Sequence, residues 1–190
     1  MSGTVSIDGV DTRTIQPHDL SDKIGSVFQN PRSQFFSLDT DSEIVFGLEN
    51  RALPQEKLKM CLEKTSRELN LSVLRKRNIF ELSGGEKQKI AFASVYATES
   101  EIFVLDEPSS NLDMGAIEEL TDLLQRVKAQ GKTIIIAEHR LWYLMDVADR
   151  CCLYARRENS EGYDAYRFQA LPESEILAMG LRCRNLSHVK

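Results

Sequence analysis

Residues 82–113 read LSGGEKQKIAFASVYATESEIFVLDEPSSNLD, and they hold two devices a short distance apart. The first is Leu82-Ser83-Gly84-Gly85-Glu86, a glycine pair opening a helix predicted over residues 86–98. At a helix start, free N–H groups and the positive end of the dipole favour an anion. Paired glycines let the backbone approach a phosphate with no side chain between them. The second is Ile102-Phe103-Val104-Leu105-Asp106-Glu107. Its apolar run predicts a strand buried on both faces, as in a parallel sheet covered by helices. Two carboxylates then emerge at the C-terminal end, where open α/β sheets bind ligands. Adjacent carboxylates on turning backbone can divide the work, one holding a hydrated Mg²⁺ and the other polarising a water.

Outward from this stretch, strands and helices alternate. Residues 3–9 run small or polar against apolar and end in Asp8-Gly9, a turn signal after a strand. A short helical turn is expected at residues 20–23, then a buried strand, Ile24-Gly25-Ser26-Val27-Phe28, that delivers Gln29. Pro31 stops that strand. Thr40-Asp41-Ser42-Glu43 fits a capping box and predicts a helix to about Asn50. Pro54, followed by Leu58, Cys61, Leu62, Thr65 and Leu69 on one face, predicts an amphipathic helix. Arg75-Lys76-Arg77 reads as a solvated helix end. Beyond the central stretch, Ile117, Leu120, Leu124 and Val127 share a helix face that Gly131 terminates. Residues 132–137 (KTIIIA) form the next buried strand and lead to Glu138-His139-Arg140. A helix over 141–149, a strand over 151–155, a polar turn at Gly162, a return over 166–169 and a helix over 173–179 complete the expectation.

The length of 190 residues suits one domain with a substantial core, and 42% hydrophobic with 28% charged residues is ordinary for a globular protein. Nothing approaches a membrane span or a signal peptide. Cys61, Cys151, Cys152 and Cys183 show no metal spacing; Cys151 and Cys152, in an apolar run, read as buried free thiols. A net charge of −5 offers no basic excess for nucleic-acid phosphates.

LSGGE, FVLDEP and SSNLD, in that order and spacing, resemble the signature motif, Walker B and D-loop of ABC transporter ATP-binding subunits. Val27-Phe28-Gln29-Asn30-Pro31 is similar to the family's Q-loop and His139 to its switch histidine. The segment from Gln34-Phe35-Phe36 to Phe46-Gly47-Leu48-Glu49-Asn50 looks most like energy-coupling-factor importers of vitamins and transition-metal ions. Phe35 and Phe36 are then either core or a contact for a membrane partner's cytoplasmic helix. The resemblance covers about residues 3–149 and implies an α/β fold. This is a P-loop NTPase-like ABC ATPase core, a parallel sheet flanked by helices, with a small helical subdomain in residues 30–82 and a C-terminal helix and tail in 172–190. It implies ATP and Mg²⁺ as cofactors. Asp106 would organise Mg²⁺ with Gln29, Glu107 would activate water, and His139 would steady the γ-phosphate. Ser83, Gly84, Gly85 and Gln88 would grip a nucleotide held by a second ABC cassette, with Asp113 in that interface. An integral membrane transport subunit is the other implied partner, on the cytoplasmic face of the membrane.

The family's phosphate cradle, GxxxxGK[ST], does not occur in residues 1–190. Gly131-Lys132-Thr133 is a decoy, because Arg126 stands where the first glycine belongs and a helix precedes it. The expectation is therefore a single partial ABC ATP-binding domain over 1–190, missing the first strands and P-loop, and binding ATP negligibly by itself. The favoured function is the ATP-hydrolysing subunit of an importer, truncated ahead of Met1. One alternative is a non-catalytic half-cassette that lends its signature to a partner. Another is a non-transport ABC ATPase acting on DNA or ribosomes, which the short helical insert and acidic balance oppose.

Overall fold

The structure, a computed structural model, describes residues 3–153, 161–164, 168 and 170–178. Asp8 and Gly9 take positive φ of 51° and 79°. That geometry suits a two-residue hairpin loop, and it joins β1 (Ser6–Ile7) to the antiparallel β2 (Val10–Asp11). Helix α1 (Pro17–Lys23) is longer than the turn expected at 20–23, because Pro17 starts it in the first helical turn.

β3 (Ile24–Val27) then enters the central sheet, pairing in parallel with β4 (Ile102–Asp106), which pairs in parallel with β5 (Thr133–Ala137). The register places Gly25, Phe103 and Ile134 side by side, and Val27, Leu105 and Ile136 likewise. These residues face α4 (Gly84–Ala97) and α5 (Met114–Ala129). Phe92 stacks on Phe103 with ring centroids 5.6 Å apart. Gly25 is needed for this layer, since a Cβ there would lie 2.0 Å from Val95 Cγ1. The α5 face chosen from periodicity, Ile117, Leu120, Leu124 and Val127, is buried, and each such side chain contributes about 1.5–3 kcal/mol. The other face of the sheet, carrying Ser26, Val104 and Ile135, is only part covered, and Ile135 is 55% exposed. The apolar runs of β4 and β5 are thus buried on one face rather than two. Among the described residues β5 has no strand on its outer edge.

Between β3 and α4 lies a helical unit of α2 (Thr40–Glu49) and α3 (Gln55–Glu68), closed by single turns at Ser72–Leu74 and Ile79–Glu81. The expected capping box at Thr40 does not form, and the cap lies one residue earlier. Asp39 is the N-cap and accepts from the Ser42 N–H. Thr40 is buried and donates its hydroxyl to Leu74 O (2.7 Å), while Glu43 turns away to accept the Phe36 and Ser37 N–H groups (2.9 and 2.8 Å). Arg75 is not a solvated residue either. Its guanidinium forks onto Asp41 (2.8 and 3.0 Å) and reaches Glu63. It thereby pins the start of α2 to α3.

Beyond β5 the expected helix over 141–149 is replaced by a turn at Trp142–Leu144. The Glu138 side chain captures the His139 and Arg140 N–H groups, and the bulky Trp142 and Tyr143 pack instead of propagating a helix. β6 (Arg150–Leu153) pairs antiparallel with β7 (Glu161–Asp164), so Gly162 sits within a strand, opposite Cys152, rather than in a turn. Cys152 is exposed and Cys151 half-buried, which corrects the reading of both as buried; burial pushes the Cys151 thiol up. The last helix is α6 (Glu173–Ala178), whose Ile176 packs with Phe168 and Leu141. The return expected at 166–169 falls mostly outside the described residues, as do Cys183 and the tail.

Candidate functional site

The parallel register brings three strand ends to one edge. Asp106 ends β4 opposite Ala137, and the Glu107 N–H donates to Ala137 O at 2.8 Å. Glu107 has φ 39°, a left-handed conformation uncommon for a side-chain-bearing residue. Gln29, just past β3, donates its Nε2 to Glu107 Oε2 at 2.8 Å. His139, just past β5, sets its Nε2 3.3 Å from Glu107 Oε1. Gln29, Glu107 and His139 therefore form one chain of contacts from three separate loops, with Asp106 adjacent in sequence. Asp106 is exposed, and among the described residues its carboxylate makes no side-chain hydrogen bond. The Q-loop behind Gln29 is held by Gln34, whose Oε1 accepts from the Phe28 N–H and whose Nε2 donates to Ala91 O on α4.

The second group gathers at the start of α4. Ser83 is its N-cap: the Ser83 hydroxyl accepts from the Glu86 N–H, and the Glu86 carboxylate accepts from the Ser83 N–H (2.7 Å). The helix begins at Gly84, two residues before the expected start, so the glycines lie inside its first turn. This capping box uses two of the free donors and leaves the N–H groups of Gly84 and Gly85 without an intrahelical partner. The Ser83 N–H, helped by Arg77 at 2.9 Å, holds the Glu86 carboxyl below its usual range. A Cβ on Gly85 would lie 2.7 Å from Ala116 Cβ, and one on Gly84 would lie 3.2 Å from Asn111 O. The glycine pair thus has a packing reason within the chain, close approach to the loop before α5 and to the first turn of α5. Asp113 caps α5, accepting from the Ala116 N–H at 2.9 Å. Gln88 is 4% exposed, and its Nε2 has no partner among the described residues. Next to it Lys87 is buried, donating to Leu82 O and Phe80 O, and burial pulls its ammonium below its usual range.

One functional candidate escaped the sequence. Glu138 accepts the Ser109 and Tyr143 hydroxyls on one oxygen (2.6 and 2.8 Å) and the His139 and Arg140 N–H groups on the other (2.7 and 3.0 Å). Burial pushes this carboxyl up, but those donors together hold it below the usual carboxylate range. Its signal was a charged residue directly after an apolar strand, overshadowed by the histidine beside it.

The oxygen donors present suit a hard cation. Asp106 offers a free carboxylate, and Gln29 keeps its amide oxygen clear because its nitrogen faces Glu107. Among the described residues no cluster of three or more His, Cys, Asp or Glu could hold a metal by itself. No helix of the described residues is long and apolar enough to cross a membrane.

Comparison with known proteins gives this geometry a context. The family model for ABC transporters matches residues 1–110. A putative ABC transporter ATP-binding protein of Treponema denticola is 58% identical over 189 residues, covering 100% of this chain and 39% of that protein. The chain thus spans well under half the length of that relative. The solved structure of cbiO1 from Clostridium perfringens, described as part of the ABC transporter complex cbiONQ, superposes with a TM-score of 0.82 at 26% identity, over 99% of this chain and 76% of that one. The ATP-binding cassette MJ0796, in a dimeric post-hydrolysis state with ADP and Pi, shares the fold at a TM-score of 0.73 and 22% identity, over 86% of this chain and 74% of that one. With the family model matching more than half its length and strand ends arranged as described, the chain belongs to the ABC transporter family.

Proposed function

We propose that this chain supplies the water-activating half of an ATP-hydrolysing site in an importer of the energy-coupling-factor type. The observation that carries the reading is the Gln29–Glu107–His139 contact chain across three strand ends. Glu107 is held by partners on both carboxylate oxygens, so it is aimed to polarise a water brought within hydrogen-bond reach. His139, two-thirds exposed, presents its ring to whatever lies over Glu107. Mg²⁺ held by Asp106 and Gln29 would neutralise phosphate charge in the transferring state. The Gly84 and Gly85 N–H groups at the start of α4 face outward to a second nucleotide, held by a second cassette. The phosphate cradle for the Glu107 site comes from residues outside these 190. In support, among the described residues the outer edge of β5 is unpaired and the face bearing Ile135 is part exposed, which suits a further strand and layer.

The importer subtype rests on the likeness to cbiO1, described as part of a multi-subunit complex. A membrane partner fits a patch on the helical unit. Phe36 is 74% exposed and stacked on Phe46, and Leu38 and Phe80 stand exposed beside the Asp39–Asn78 bridge. Phe35 packs on the core, so the two phenylalanines divide between the two roles considered for them. The test is ATP hydrolysis by the chain extended with a strand–GxxxxGK[ST]–helix unit. Turnover in the extended chain and none in the native one is expected; micromolar ATP binding by the native chain would contradict the reading.

A further inference from the structure

Two loops must keep a fixed spacing for Glu107 and His139 to stay in contact, and neither loop has regular structure. Residues 107–113 are held internally by two turn bonds, Ser110 N–H to Glu107 O and Leu112 N–H to Ser109 O, and by the Asn111 amide donating to the Ser110 hydroxyl. Among the described residues the His139 side chain is tied to Glu107 alone. Glu138 lies between the loops. One carboxylate oxygen takes the hydroxyl of Ser109, which is fully buried, and of Tyr143, which is nearly so. The other takes the backbone N–H of His139 itself and of Arg140. Arg140 closes the circuit, donating its guanidinium to Ser109 O (3.1 Å) and Leu112 O (3.4 Å). The two buried hydroxyls converge on one oxygen, and a carboxylate that accepts from both sides cannot be replaced by water without loosening both loops.

We propose that Glu138 is a positioning residue that sets the Glu107–His139 separation by tying the loop after β4 to the loop after β5. The inference rests on the reading of Glu107 and His139 as the water-activating pair, but its geometry does not depend on turnover. Ser109→Ala removes the hydroxyl bond with little change in volume and leaves only the long Ser109 N–H bond (3.4 Å) to that oxygen, and Glu138→Ala removes every bond to the carboxylate.

In the 190-residue chain, NMR shifts of the His139 ring protons are followed as Glu107 is changed to Gln, in native, Ser109→Ala and Glu138→Ala backgrounds. The ring responds in the native background and the response collapses in the other two. Amide exchange at Ser109, His139 and Arg140 accelerates about tenfold or more, while Leu105 and Ile136 in the sheet are unchanged. In an assembled ATPase carrying these residues, Ser109→Ala lowers kcat roughly 10- to 100-fold with KM held. Should Glu138→Ala fail to fold, the Ser109→Ala arm decides alone. If both variants merely lower the melting temperature while His139 keeps its full response to Glu107→Gln, the proposal is overturned. If the assembled protein never hydrolyses ATP, the proposed function fails, and the ring-shift result still decides the role of Glu138.

Discussion

At the scale of single residues, the glycines of the signature turn carry two demands that the sequence shows as one. Their pairing before a helix was legible as an anion site, but the contact of Gly85 with Ala116 was not, since residues 31 apart in sequence meet only in the folded chain. Gly85→Ala is expected to force α4 away from α5 and cost about 1–3 kcal/mol, read from denaturant unfolding. Gly84→Ala, facing Asn111 O at 3.2 Å, should cost less. Gln29, Glu107 and His139 were each legible because each follows a strand-like apolar run. Their meeting was legible only through the family's order of motifs. Glu138 was missed because a hydrogen-bonding hub is defined by what points at it, and Ser109 and Tyr143 give no local sign of doing so.

At the scale of elements, the helices announced by periodicity formed where expected, whereas their starts moved. The shift at α2 has a physical cause: Asp39 outcompetes Thr40 as cap because the Thr40 hydroxyl is already spent on Leu74 O. At α4 the capping box of Ser83 and Glu86 fixes the orientation of the free glycine N–H groups. Ser83→Ala should therefore lower stability by about 1 kcal/mol, measured as a shift in the unfolding midpoint. The helix proposed over 141–149 failed for the reason that makes Glu138 notable, because a side chain that captures the next two N–H groups competes with the first helical turn.

At the scale of the whole molecule, the sheet is covered on one face, which an apolar strand sequence alone cannot distinguish from two. With Ile135 exposed on a strand whose outer edge is unpaired among the described residues, the 190-residue chain should self-associate with rising concentration, and Ile135→Lys should reduce that in sedimentation velocity runs. Stability should also fall in acid. Asp39, Glu86, Glu99 and Glu138 all have folded pKa values below their usual ones. The unfolded chain therefore binds their protons first, so their contribution is complete above the ordinary carboxylate range and is lost as pH falls through the depressed folded values. Melting temperatures should be level in this respect from neutrality to about pH 5 and decline below it, less steeply in Glu86→Gln. The central claim is that Glu107, aimed by Gln29 and His139, activates the water that attacks ATP. It is tested most directly by single-turnover hydrolysis in the chain extended with a P-loop unit, native against Glu107→Gln. The account predicts that nucleotide binding persists while the hydrolytic rate falls by about 100-fold or more; a variant that hydrolyses within about threefold of the native rate would contradict it.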